Sequence, residues 1–371
     1  MNLLLDRTSF GKEARVMKPV PVSGPPPRVT VVVPCYNYGR YLSDCLGSIL
    51  AQPGVDVDVV LVDDASTDGS GDVAEQLAGM DPRITLVRHA RNAGHIATYN
   101  DGLDQAEGDY LVLLSADDLL APGSLSRSTA LLEANPSVGI SYGRTVIFSG
   151  DPPSSSVQAL RSWTIWPGES WLRMRWEKAR NCVWNPEIVI RATVQREIGG
   201  YRSHLPMAAD FAMWMRAASV ADVGHVDGPD QGFYRMHGDN MHLTTFEDGR
   251  SSEVLIDLNE RRLTFENLAL EIPGGPELLP EACKGLAVEA LTVATRLFSQ
   301  LTVDRGLVES LVAFATDVYP AATGLPQWRS TQRRLTMDPA AVRRNLGFRA
   351  QEMVEKGKET ARQWRWRRIG V

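Results

Sequence analysis

Cysteine is scarce, basic charge shows no excess, and long apolar runs are missing; each shortage removes a class of function. Only four cysteines, Cys35, Cys45, Cys182 and Cys283, occur in 371 residues, and no two form a Cys-x-x-Cys pair. That spacing excludes a zinc ribbon or a thioredoxin-type motif and suits reduced cytosolic thiols. Lysine and arginine total 39 against 45 acids, a formal charge of −6. A general nucleic-acid binder needs the opposite balance, so nucleic acid is not an expected partner. A compact polyanion remains open, because one metal ion or a few oriented donors set the local field. No stretch approaches the ~20 apolar residues of a membrane span. Met1–Phe10, with Asp6 and Arg7, is too short of apolar residues for a signal peptide, so the expected location is the cytoplasm. There is no internal repeat and no disordered composition, with 43% hydrophobic and 23% charged residues.

What is present is organised. Proline concentrates in Lys18–Arg28, KPVPVSGPPPR, which suits neither a helix nor a central strand, so residues 1–27 read as a poorly ordered leader. The chain then alternates. Val29–Pro34, Val57–Asp63, Ile84–Arg88 and Tyr110–Leu114 are short, nearly continuous apolar runs, the pattern of strands buried on both faces of a parallel sheet. Helical patterns lie between them at Tyr41–Ala51, Asp72–Met80 and His95–Ala106; in the first, Leu42, Cys45, Leu46, Ile49 and Leu50 make one stripe. Repeated β-α-β units predict an α/β fold, a Rossmann-like, doubly wound and mostly parallel sheet. Further on come a Trp-rich stretch (Trp163, Trp166, Trp171, Trp176, Trp184), a strand at Glu187–Arg191, a helix at Ala208–Ala218 and a strand at Gly232–His237. Beyond Ser251 only helical spacing remains, so the expected division is 1–27 leader, 28–250 α/β domain and 251–371 helical domain.

Ligands of open α/β sheets bind beyond the carboxyl ends of the strands. The residues leaving the strands there are Cys35-Tyr36-Asn37, Asp63-Asp64 and Ser115-Ala116-Asp117-Asp118. Acids after strands are often helix caps or turn formers. Two acidic pairs on one edge instead call for compensation by a cation or by donors. Mg²⁺ or Mn²⁺ takes one or two such carboxylates together with substrate phosphates.

These residues also carry a resemblance. VTVVVPCYNYGRYLSDCLGSILAQ, VVLVDDASTDGSGDV, RNAGHIATYNDGL and GDYLVLLSADDLLAPGSL resemble family 2 glycosyltransferases in consecutive order, and IGGYRSHLPMAADFAMWMR and YRMHGDNMH look like that family's acceptor-side segments. The resemblance covers roughly 29–242. It implies a GT-A fold and inverting hexosyl transfer from a nucleoside-diphosphate sugar, UDP-linked by family habit, with Mn²⁺ or Mg²⁺. By the same resemblance Pro34, Tyr36 and Asn37 line the base and ribose. Asp64 or its neighbour Asp63 accepts a hydrogen bond from the base, and Arg91, Asn92 and Gly94 border that pocket. Asp117 takes the last position of the Asp-x-Asp metal motif, with Ser115 and Ala116 beside it on the donor. His237 stands near the metal, Asp210 falls at the catalytic base, and Trp184 and His204 are acceptor candidates.

Two positions depart from the family pattern: Ser115 replaces the first acid of Asp-x-Asp, and Ala209 replaces the usual Glu before the base. Loss of that charge predicts weaker metal binding. It also sustains an alternative, a non-catalytic nucleotide-sugar-binding or scaffold protein. A nucleotidyltransferase needs a Gly-rich phosphate loop with a basic residue after the first strand, which PCYNYGR fits poorly. The expected acceptor is a hydroxyl of a glycan, a lipid-linked sugar or a small molecule, as in cell-surface polysaccharide synthesis, with room for a homodimer. The tail KGKETARQWRWRRIGV suits peripheral contact with an anionic membrane. Yet Trp364 and Trp366 stand two apart and cannot share a helical face, which favours a solvated end or packing arm.

Overall fold

A computed structural model describes residues 14–371 apart from Val22, Trp184, 241–250, Pro273 and Leu301. In chain order its first part contains β1 (Arg15–Met17), β2 (Arg28–Cys35), α1 (Gly39–Leu50), β3 (Asp56–Asp63), α2 (Ser70–Met80), β4 (Ile84–Arg88), α3 (His95–Asp104) and β5 (Tyr110–Leu113). There follow β6 (Leu119–Leu120), α4 (Ser124–Ala134), β7 (Val138–Phe148), β8 (Ser162–Trp166), α5 (Gly168–Lys178), β9 (Val189–Arg191), α6 (Ala192–Ile198), α7 (Ala209–Val220) and β10 (Asp222–Arg235).

All strands join one sheet, in the order β1-β8-β10-β7-β9-β5-β2-β3-β4, with β6 on β10. The half β5-β2-β3-β4 is wholly parallel, as the apolar runs predict. Val29, Val31, Val32 and Val33 of β2 and Val59, Leu61 and Val62 of β3 are fully buried. Removing such valines from water contributes roughly 1.5–3 kcal/mol each. β9 runs antiparallel between β5 and β7 and links this half to β7 and β10, which are parallel to each other. α3 lies so close to β2 that a Cβ at Gly102 would stand 2.3 Å from a Val32 methyl.

Several boundaries differ from the sequence reading, for physical reasons. β1 lies inside the stretch read as a leader, where Arg15, Val16 and Met17 pair antiparallel with Ile165, Thr164 and Trp163. The last strand spans Asp222–Arg235, not Gly232–His237; its earlier part carries Gly228 and Pro229, a pair typical of turns. They mark register shifts between His225 and Gly232, and Gly228 takes a φ of +113°. Trp163, Trp166, Trp171 and Trp176 are core residues, each no more than 2% exposed. Trp184 lies outside the described residues.

The chain divides into two compact units. The first takes residues up to Leu172, then Cys182–His237 and Trp366–Val371; the second takes Arg173–Asn181 and Gly238–Arg365. The second is helical: α8 (Ser251–Glu271), α9 (Gly275–Leu297), α10 (Arg305–Val318), α11 (Pro326–Leu335), α12 (Pro339–Arg344) and α13 (Leu346–Ile369). Leu286, Ala287, Ala290, Leu291 and Ala294 form the buried stripe of α9. Buried Arg261 pairs with Asp257 and with Glu289, which also takes Arg180. No described helix is long and apolar enough to cross a membrane. The chain's last residues pack in the first unit, where the Ile369 carbonyl accepts from Trp166 Nε1 at 3.1 Å and the Gly370 carbonyl from Tyr142 Oη at 2.5 Å. That end of the tail is a packing arm, while Trp364 is 46% exposed.

Candidate active site

β2, β3 and β5 run parallel side by side, so their carboxyl ends deliver Pro34–Asn37, Asp63–Asp64 and Ser115–Asp118 to one edge. Pairing between β2 and β5 ends at Val32 and Leu113, and Leu114 N–H donates to the Val32 carbonyl. Pro34 follows this last bond to β5, where its missing N–H costs the ladder nothing. Asn37 (φ 60°) and Ala65 (φ 55°) both adopt the left-handed conformation, an uncommon cost that concentrates at functional loops. The two loops are stitched together: Asn37 N–H donates to Ser66 Oγ at 3.0 Å, and Thr67 N–H donates to Asn37 Oδ1 at 2.9 Å. Tyr36 stays 43% exposed above them. The adjacent thiol is no nucleophile, since burial pushes Cys35 up to about 12.

The paired acids divide their work. Asp63 turns inward, accepting from Ser66 N–H at 3.3 Å and lying 3.7 Å from Arg88 Nε. Asp64 accepts from Ala93 N–H at 2.7 Å, Gly94 N–H at 3.0 Å and His89 Nδ1 at 2.8 Å. Burial raises the Asp64 carboxyl, but those donors outweigh it and hold it below its usual range. A carboxylate has about four acceptor positions, and these three donors fill all but one. Asp64 thereby shapes the turn of Arg91, Asn92 and Gly94, in which Arg91 and Asn92 are exposed. Gly94 (φ +84°) opens α3 with a conformation few other residues tolerate.

The second pair is organised by Arg235, which the sequence reading passed over. Asp118 is 1% exposed and accepts from Arg235 N–H at 2.9 Å, while Arg235 Nε donates to the Asp117 carbonyl at 2.9 Å. The guanidinium also reaches the Gly150 carbonyl at 2.8 Å and Asp44 at 3.1 Å, between the rings of Tyr41 and Phe148. Burial raises both carboxyls, Asp118 the more because Asp117 repels it, against the pull of Arg235. His237 lies just past β10 and meets Asp117 Oδ2 at 3.0 Å through Nε2, its ring edge-on to Tyr38 and tilted on Tyr41. Among the described residues no three metal-ligating side chains come together. Asp117 and His237 therefore fit a hard cation only if substrate oxygens complete its shell. Ser115 is half-buried, its carbonyl accepting from Asp118 N–H at 3.0 Å.

Asp210 sits in the first turn of α7. Tyr201 and Asn185 hydrogen-bond its carboxyl, yet Oδ1 has no partner. Burial pushes this acid up to about 6, against the pull of Asn185 and Tyr201. Its support comes from far away in the chain: Asn100 of α3 accepts from Tyr201 N–H at 2.7 Å and donates to the Tyr201 carbonyl at 2.9 Å. Arg216, one turn and more along α7, donates to the Gly200 carbonyl at 2.7 Å. A Cβ on Gly200 would strike Asn100 Oδ1 at 2.4 Å, so glycine is required at that turn. Burial raises the phenols of Tyr99 and Tyr234, and the charges of Asp210, Asp117 and Asp118 add to both, Asp210 foremost for Tyr99 and Asp118 foremost for Tyr234. The three acids thus converge on one region. His204 is exposed on the loop before α7.

Comparison with known proteins places this arrangement. Residues 30–196 match the model of glycosyl transferase family 2. A glycosyltransferase of Nostoc sp. is 35% identical over 124 residues, 33% of this chain and 38% of that protein. A protein of Mycobacterium tuberculosis is 28% identical over 206 residues, 53% of this chain and 64% of its own length. The chain thus spans less than two thirds of these relatives. Among solved structures, a mannosyltransferase from Pyrobaculum calidifontis in complex with GDP-Man and Mn²⁺ aligns with a TM-score of 0.53 at 20% identity, covering 90% of this chain and 84% of that one. The fold is the GT-A arrangement the sequence resemblance implies.

Proposed function

Residues 30–196 belong to glycosyl transferase family 2, and from that premise we propose that the chain is an inverting glycosyltransferase using a nucleoside-diphosphate sugar. The observation that carries this reading is the unpartnered Oδ1 of half-buried Asp210 in the region where Asp117 also acts. In this assignment the sheet-bearing unit is the catalytic domain and the helical unit, Arg173–Asn181 and Gly238–Arg365, an accessory domain, in place of a division at 250. Pro34, Tyr36 and Asn37 border the nucleotide. Asp64 offers its remaining lone pair to the base, and Arg91, Asn92 and Gly94 close the rim. Asp63 supports the loop from beneath. Asp117 and His237 hold Mn²⁺ or Mg²⁺ with the donor's phosphates, and the cation supplies neutralisation of the charge that grows on the departing diphosphate. The mannosyltransferase of similar fold, in complex with GDP-Man and Mn²⁺, supports that donor class.

The acceptor hydroxyl is a poor nucleophile until its proton leaves. Asp210 Oδ1 takes that proton as the oxygen attacks the anomeric carbon from the face opposite the diphosphate, and one in-line displacement inverts the configuration. A hydrolase would need an acid and a base flanking the bond. Deprotonated Asp210 is the working form, so release of nucleoside diphosphate from a panel of UDP-, dTDP- and GDP-sugars should rise through an apparent pKa near 6. Tyr201 favours the charged form of Asp210, so Tyr201→Phe should move that rising limb to higher pH. Absence of release from every donor favours the alternative, a nucleotide-sugar-binding protein without transfer, which the Ser115 and Ala209 departures keep in view.

A further inference from the structure

The helical unit contains a second site of a different character. Residues 326–351 hold six arginines (Arg329, Arg333, Arg334, Arg343, Arg344 and Arg349) against a single acid, Asp338, in a chain whose net charge is −6. Asp338 is engaged as the N-cap of α12, accepting from Ala340 and Ala341 N–H. Between α11 and the start of α13 opens a cavity of about 700 Å³, lined by Arg329, Ser330, Arg333, Asn345, Phe348 and Gln351 among others. Behind its wall Arg334 is 1% exposed. Its guanidinium meets Ser330, Gln351 Oε1 at 3.4 Å and the Phe348 ring at 4.0 Å, but no carboxylate, and its Nε has no partner. Arg329 and Arg333 at the mouth are exposed; Arg329 reaches only the Gly324 carbonyl, and neither pairs with an acid among the described residues.

A buried guanidinium with no carboxylate in contact is costly even with the Glu352 charge offsetting part of that cost, and neighbouring cations add to it. An anion seated among Arg329, Arg333, Ser330 and Asn345 removes both penalties. Guanidinium forks match phosphate oxygens in geometry as well as in charge. Phe348 and the lining Met337 and Pro326 provide an apolar wall beside them. We propose that this cavity binds a phosphate group, monoester or diester, carried on an apolar or sugar-bearing molecule. The proposal stands independently of the donor-site reading, since its residues belong to the other compact unit.

The test is calorimetric titration of the full chain with inorganic phosphate and with glycerol 3-phosphate. A second arm is sedimentation with phosphatidylcholine vesicles containing phosphatidic acid. Saturable binding to at least one probe is expected, weakened about tenfold or more in Arg329→Gln/Arg333→Gln. Arg333→Lys, which keeps the charge, should lose less. Because both arginines are exposed, the double variant should keep the wild-type circular dichroism and melting curve. Binding of the soluble probes assigns the ligand to a free phosphate ester, and binding of vesicles alone assigns it to a lipid headgroup; either supports the site. No saturable binding of any probe, or equal binding by wild type and the folded double variant, overturns it.

Discussion

Asp210→Asn should lower kcat by about three orders of magnitude while leaving nucleotide affinity within twofold of wild type, within the 10²–10⁴ range for loss of a positioned base. Asparagine keeps the size of the side chain and can still meet Tyr201 and Asn185, the two groups that hold the carboxyl. What it lacks is a basic oxygen at the place of Oδ1, the atom of this side chain without a partner. Folding should not suffer. The carboxyl is raised to about 6, so the folded protein binds its proton more tightly than the unfolded chain does, and stability falls as pH rises from about 4 to about 6. Asparagine removes that fall. The variant should therefore melt at or above the wild-type temperature at neutral pH, while its release of nucleoside diphosphate is almost abolished. Wild-type turnover in this variant would sink the assignment of Asp210.

Arg235→Leu should destabilise the protein by about 3–5 kcal/mol, the usual cost of stranding buried charge. Asp118 and Asp117 are 1% and 5% exposed, and the Arg235 guanidinium pulls both carboxyls back toward the charged form. Both carboxyls are already raised by burial and, for Asp118, by its neighbour. Without Arg235 the pair can relax only by taking up protons, so the loss should be largest at high pH. Urea unfolding of Arg235→Leu at pH 8 and pH 5.5 measures this, and adding Asp118→Asn should recover part of the loss. An unchanged urea midpoint at both pH values would show that Arg235 is not what holds the acids in place.

The parallel half of the sheet was readable because strands buried on both faces leave continuous apolar runs, and Val29–Pro34 falls within the observed Arg28–Cys35. The acids that leave those strands were readable for the same reason, since parallel order fixes which ends share an edge. β7 was not, and of β10 only the end from Gly232 was. Their glycines look like loop residues, whereas Gly139 and Gly143 are there because a Cβ would stand 2.5 Å from Ala221 and 2.6 Å from Gln231. The supports of the site were equally hidden. Asn100 and Tyr201 stand 101 positions apart, and Arg235 reaches Asp118 across 117. No local period encodes such contacts. His89 gave one usable signal, a histidine at the end of a strand beside the acidic strand end it meets, since Asp63 and Arg88 are register partners. The division of labour within each acidic pair depends on which carboxylate the turn points inward, and that emerged only with the loops in place.

Calorimetric titration with UDP, dTDP and GDP, each with and without Mn²⁺, on wild type and on Asp117→Asn, tests the donor site most directly. Binding of one nucleotide, tightened by Mn²⁺ in the wild type and insensitive to it in Asp117→Asn, is the predicted result. Failure of the folded wild-type protein to bind any of the three, with or without the metal, would contradict a nucleotide-sugar site at this sheet edge.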